Sequence, residues 1–186
     1  MMKSKWFCVV FFTGLVFAAL CIAAEFSAKQ PILLTSAGQG PDLTMIKILA
    51  QKNNLQFTFD KLVKSDKLKD HATLLLVAGS STKGLGAANI DKDQELARVQ
   101  ALIKAAREAK MSIVTMHVGG PSRRGKLSDD FNTIAAENAD CLIIVKSGND
   151  EDFFSKIAET KKIPIFLIDK IVDAGNVLSQ IFGETK

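Results

Sequence analysis

Residues 113–131 read IVTMHVGGPSRRGKLSDDF. An apolar run ends at His117, Gly119-Gly120-Pro121 breaks it, and three cations (Arg123, Arg124, Lys126) fall within four residues before a polar helix start. In an open α/β sheet this is a strand leaving its carboxyl end into a loop, where such folds bind ligands.

Working outward, the same grammar repeats. Thr73 to Gly79 (TLLLVAG) is a continuous apolar run, as expected for a strand covered on both faces. It empties into residues 80–90 (SSTKGLGAANI), read as the longest loop of the domain. Asp91 opens a long helix to about Lys110 with Leu96, Val99, Leu102, Ile103 and Ala106 on its inner stripe. Pro31 to Ser36 is a strand, Pro41-Asp42 starts a helix to Asn53-Asn54, and Leu55 to Asp60 alternates like a half-exposed edge strand. Lys61 to Asp70 is charged and poorly periodic, with room for one short helix. After the opening stretch, Ser128 is expected to cap a helix to about Asn138. Cys141–Val145 is a buried strand, Glu151–Lys162 a helix, Ile163–Ile168 a strand and Val172–Phe182 a last helix.

Strict alternation of this kind predicts an α/β fold. The expectation is a three-layer sandwich with a mainly parallel six-stranded sheet, flavodoxin-like or Rossmann-like, in strand order 2-1-3-4-5-6. The order 3-2-1-4-5-6 is the alternative.

The first residues read differently. Lys3 and Lys5 precede an uncharged run, Trp6 to Ala24, which ends in small residues before Glu25. This is the pattern of a secretory signal peptide, with cleavage after Ala24 or, nearly as well, after Ala23. A retained membrane anchor is the rival, and a lipid-attachment site at Cys21 is disfavoured by Leu20 before it. The division expected is signal 1–24, linker 25–30 and one α/β domain, 31–186, exported to the periplasm or the exterior. Without Lys3 and Lys5 the 24 cations fall to 22 against 20 anions, so no global basic charge argues for nucleic acid. Cys8 and Cys21 leave with the signal, so Cys141 has no intrachain partner, and its apolar context marks it as a small buried hydrophobe.

Functional residues are expected at the carboxyl rim. There the connections are long and rich in glycine and polar residues, whereas those at the amino rim are short and ordinary. The ligand-binding set comprises Ser36, Gly38, Gln39 and Gly40 after the first strand. Ser80, Ser81, Lys83 and Gly84 follow the third, and His117, Gly119, Gly120, Ser122, Arg123 and Arg124 the fourth. Glycine-lined loops with nearby cations suit a small anionic or polar ligand. The loops after strands one and three form the expected floor, and the arginine loop a flank or lid. The spacing fits neither a Walker loop nor a dinucleotide fingerprint. His71 lies at the opposite rim, no zinc set is apparent, and no cofactor is expected. The mature aromatics are all Phe, so no base-stacking platform is expected.

Three segments, ILLTSAGQGPD (32–42), LLVAGSSTKGLGAANID (75–91) and MHVGGPSRRGKLSDDF (116–131), resemble those of an uncharacterised family of exported bacterial proteins, known only as a domain of unknown function. The resemblance spans roughly residues 30–184. It implies a bacterial, exported, single-domain protein and brings no catalytic residues. Three functions stay open. The first is an exported binding domain that serves a membrane transport or sensor protein. The second is a hydrolase or transferase using His117 and Ser36 on an anionic substrate, and the third is an interaction module without a ligand.

Overall fold

The computed structural model describes residues 26–183; the expected signal segment lies outside them. The chain alternates as read: β1 (Ile32–Ala37), α1 (Leu43–Lys52), β2 (Phe57–Phe59), β3 (Thr73–Ala78), α2 (Thr82–Ala87), α3 (Lys92–Glu108), β4 (Ser112–His117), α4 (Asp129–Glu137), β5 (Cys141–Val145), α5 (Phe153–Lys161), β6 (Ile165–Ile168) and α6 (Ala174–Phe182). Short 3₁₀ turns fill several connections.

All strands pair in parallel in the order β2-β1-β3-β4-β5-β6. This is the flavodoxin-like order that the alternation predicts. The chain winds outward from β1 to β2 and then the other way from β3, so the topological switch point lies between β1 and β3. Every residue of β1, β3 and β5 is buried, as parallel strands covered on both faces require. β2 is polar because it is an edge: Thr58 faces solvent while Phe57 and Phe59 pack on the core.

Strand parity sorts the core. Ile32, Leu34, Leu75, Val77, Val114, Met116 and Ile143 face one layer with α1 and α6. Leu33, Ala37, Leu74, Leu76 and Ile113 face the other, with α3 and Phe131 of α4. Leu142 and Ile144 continue that second layer against Phe154 of α5. Residues 26–30 lie along the domain rather than away from it. Phe26 and Ala28 join the first layer, and the Ala28 amide donates to the Ile181 carbonyl at 3.0 Å.

Three local expectations are corrected. The segment after β3 is not one open loop, because α2 forms inside it. Glycines at 84 and 86 disfavour a helix, but Ser81 Oγ caps it by accepting the Gly84 amide at 3.2 Å. Ser128 does not cap α4; its hydroxyl accepts the Ser80 amide at 3.0 Å and ties α4 to the end of β3. On α3 the innermost residue of the first turns is Glu95, fully buried, while Leu96 is only half-buried. The start of α3 is as read: Asp91 and Gln94 cap each other reciprocally at 2.8 and 3.0 Å.

Candidate functional site

At the carboxyl rim, over the switch point, lies a cleft of about 490 Å³. Its lining comes from four segments: Gln39, Gly40 and Pro41 after β1; Lys61 and Leu62 after β2; Ser81, Lys83, Gly84, Ala87 and Ala88 in and around α2; and Arg123. Clefts of this size at a switch point are the usual ligand sites of open α/β sheets.

The loops that build it are held from below by Glu95. Its carboxylate accepts the Gly38 amide at 2.9 Å and the Gln39 side-chain amide at 3.0 Å. Arg98, one turn on, neutralises it through two contacts of 2.7 and 2.8 Å. The same guanidinium donates to the carbonyls of Ser36 and Val63. One buried ion pair therefore positions the loops after both β1 and β2. Gln39 adds a second tie, donating to the Lys61 carbonyl at 3.0 Å. Gln39 itself sits at φ +60°, a left-handed conformation that a residue with a side chain holds only when its surroundings insist. An isolated bridge to Ser80 and the bonds to Glu95 supply that insistence.

Several glycines at this rim clear space for protein rather than for a ligand. A side chain at Gly84 would enter the Gln39 carbonyl at 1.9 Å, and one at Gly40 would meet the Gly79 carbonyl at 2.7 Å. Gly119 lies under the Arg123 stem, where a Cβ would come within 2.2 Å of Cγ. Arg123 thus lies flat across the rim. Its Nε donates to Asp42 at 2.9 Å and its Nη1 to the Ser80 carbonyl at 3.3 Å. Lys61 and Lys83 are exposed at the mouth.

The expected site residues therefore divide. Gln39, Gly40, Ser81, Lys83, Gly84 and Arg123 come together in the cleft. Ser36, Gly38 and Ser80 lie beneath it as supports, and the hydroxyls of Ser36 and Ser80 are buried with no partner among the described residues. His117, Gly119, Gly120, Ser122 and Arg124 are not in its lining. Ser122 donates to the Gly119 carbonyl at 2.9 Å. Arg124 is sewn into the α4–α5 side: it donates to Asp129 and to the Gly148 carbonyl, both at 2.8 Å, and stacks over Phe153 at 4.1 Å.

His117 is fully buried. Its Nδ1 lies 3.2 Å from Asn132 Oδ1 and its Nε2 3.3 Å from the Gly120 carbonyl, and its ring packs on Phe154. Asn132 spends its amide hydrogens on the Arg123 carbonyl and on Asp129, which fixes its oxygen toward the imidazole. Burial lowers the His117 pKa below the usual histidine value; the bonds to Gly120 and Asn132 oppose that shift and the charge of Arg124 adds to it. Ser36 pairs in register with Val77, and Val77 with Met116, so Ser36 shares a sheet face with Met116 and His117 points to the other face. The structure does not bring Ser36 and His117 together as nucleophile and base.

Lys61 and Leu62, together with Pro41, Ala87 and Ala88, were not expected in the site, nor Glu95 and Arg98 beneath it. A signal for the first pair exists: Lys61-Leu62 follows the second strand directly, so it reaches the same rim. Glu95 precedes Val99 by four residues and Leu102 by seven, which places a carboxylate in the buried stripe. Among the described residues no group of His, Cys, Asp and Glu could hold a metal ion. At the opposite rim His71 bonds Thr58 at 2.9 Å.

Residues 29–182 match the family described as Domain of unknown function (DUF6305). The chain belongs to the DUF6305 family. No functionally curated protein matches it. Among solved structures, the DUF6305 chain is similar to a GDSL-like lipase from Bacteroides thetaiotaomicron, at 11% identity and TM-score 0.35, over 72% of this chain and 65% of the lipase. It is also similar to a putative acylhydrolase from Bacteroides fragilis, at 11% identity and TM-score 0.33, over 77% of this chain and 71% of that one. The DUF6305 chain thus spans slightly less than two thirds of the lipase's length.

Proposed function

We propose that this DUF6305 protein is an exported binding domain that takes a small anionic or polar molecule in the cleft between β1 and β3. The observation that carries the reading is the cleft itself: about 490 Å³, over the switch point, with Lys61 and Lys83 exposed at its mouth and its loops locked by a buried ion pair. A site pre-formed in this way loses little ordering entropy on binding. Catalysis has less support, because the one rim histidine is sealed beneath the surface and faces away from Ser36. Among the described residues no helix is long and apolar enough to cross a membrane. The basic start, the uncharged run and the small-residue exit of residues 1–24 support export, and a membrane transport or sensor protein is the fitting recipient of the bound molecule.

Two measurements test this. A ligand that binds only the native state raises its melting temperature. Titrating the purified protein with succinate, citrate, sulfate and inorganic phosphate should give at least one saturable rise, reduced in Lys83→Gln; no rise with any of them contradicts the anion site. Mass spectrometry of the protein recovered from the cell envelope should give a chain that begins at Glu25; a chain that retains Met1 to Ala24 contradicts cleavage.

A further inference from the structure

We infer that the cleft recognises a small organic carboxylate with a hydrocarbon body, rather than an inorganic anion or a nucleotide. The inference rests on the reading of the cleft as an anion site and narrows it.

The wall of the cleft is largely hydrocarbon. Pro41, Leu62, Ala87 and Ala88 contribute apolar surface from three segments, and none of the four brings a side-chain hydrogen-bonding group. A bare phosphate or sulfate gains nothing from such a wall, whereas an alkyl or ring body is taken out of water by it. Among the described residues no aromatic side chain lines the cleft, so a nucleobase meets no ring there on which to stack.

The polar groups agree. Gln39 spends both amide hydrogens inside the protein, on Lys61 and on Glu95, and has none left for an anion. Arg123 is engaged by Asp42, which neutralises it. Beside the Ser81 hydroxyl, the lining then offers two exposed ammonium groups, Lys61 and Lys83, on different segments at the mouth. Two point charges at an edge suit a carboxylate head whose body lies inward. They do not form the converging nest of donors that encloses a tetrahedral oxyanion.

The test compares hexanoate, its uncharged counterpart hexanamide, and inorganic phosphate by melting temperature and by calorimetric titration of the purified protein. Hexanoate should bind saturably, and both others should bind about tenfold more weakly or not at all. Leu62→Asn and Lys83→Gln, at a half-buried and an exposed position, should each weaken hexanoate about tenfold. Both should keep the melting temperature of the free protein, which shows that they fold. Stabilisation by phosphate with none by hexanoate overturns the carboxylate assignment and leaves the anion cleft standing. Stabilisation by neither overturns both. Equal binding of hexanamide overturns the role of the charge, and unchanged hexanoate binding in both variants overturns the location.

Discussion

The Glu95 carboxylate accepts the Gly38 amide at 2.9 Å, across 57 positions of sequence. This contact makes a helix on one face of the sheet responsible for the loop at the switch point. Glu95 is fully buried and Arg98 nearly so. Removing one partner of such a pair leaves the other charge buried and unpaired, which is far costlier than the net worth of the pair. Glu95→Gln is therefore expected to destabilise the fold by about 3 kcal/mol or more, read as the midpoint of urea unfolding. A loss under about 1 kcal/mol would mean that water reaches Arg98 and that the loop is held by other means.

The rim glycines make a paired prediction. Gly148→Ala puts a methyl within 2.5 Å of the His117 ring, which is itself wedged against Phe154. Overpacking of this kind costs about 1–3 kcal/mol. Gly86 lies in α2 with nothing within 4 Å of a Cβ, so Gly86→Ala is expected to stabilise by up to about 1 kcal/mol through helix propensity. Thermal melts of the two variants should move in opposite directions.

Much of this fold is legible from apolar periodicity. Six continuous or alternating runs separated by helices leave few topologies once crossovers are right-handed, and the polar β2 has to lie at an edge. The floor of the cleft is legible for the same reason, since glycine and serine gather after β1 and β3. What stays hidden is which polar residues turn inward. Arg123 and Arg124 are neighbours of one type, yet one lies across the cleft and the other stacks over Phe153. That division depends on Asp42 and Asp129, 81 and 5 positions away, and no local pattern encodes it. Ser128 looks like a cap by position, but the Ser80 amide claims its hydroxyl.

His117 makes stability depend on pH. Its folded pKa is lowered, chiefly by burial, so the unfolded chain binds the proton more tightly. Stability is complete above the unfolded value of about 6.5 and declines as pH falls from there toward the folded pKa. Asp129, whose bonds to Arg124, Asn132 and Gly125 outweigh its burial and hold its carboxyl below the usual range, adds a separate loss only in the carboxylate range. Urea midpoints should therefore drop between pH 7.5 and pH 5. A flat profile across that window contradicts a buried His117 whose pKa is lowered.

Asp42 acts within the protein as the anion that Arg123 holds. Asp42→Asn keeps the shape, removes that charge and opens the guanidinium to the cleft. Binding of a carboxylate such as hexanoate is expected to tighten by about threefold to tenfold. Weaker binding would show that Asp42 positions Arg123 rather than competes for it.

The central claim is that ligand enters over the switch point between β1 and β3. An amide chemical-shift titration of the ¹⁵N-labelled protein with hexanoate tests it residue by residue. Saturable shifts confined to residues 38–42, 61–63, 81–88 and 123 are the predicted result. Shifts centred instead on the amino rim around Lys29, His71 and Lys110, on the α4–α5 groove around Lys156 and Thr160, or nowhere in the protein, would contradict it.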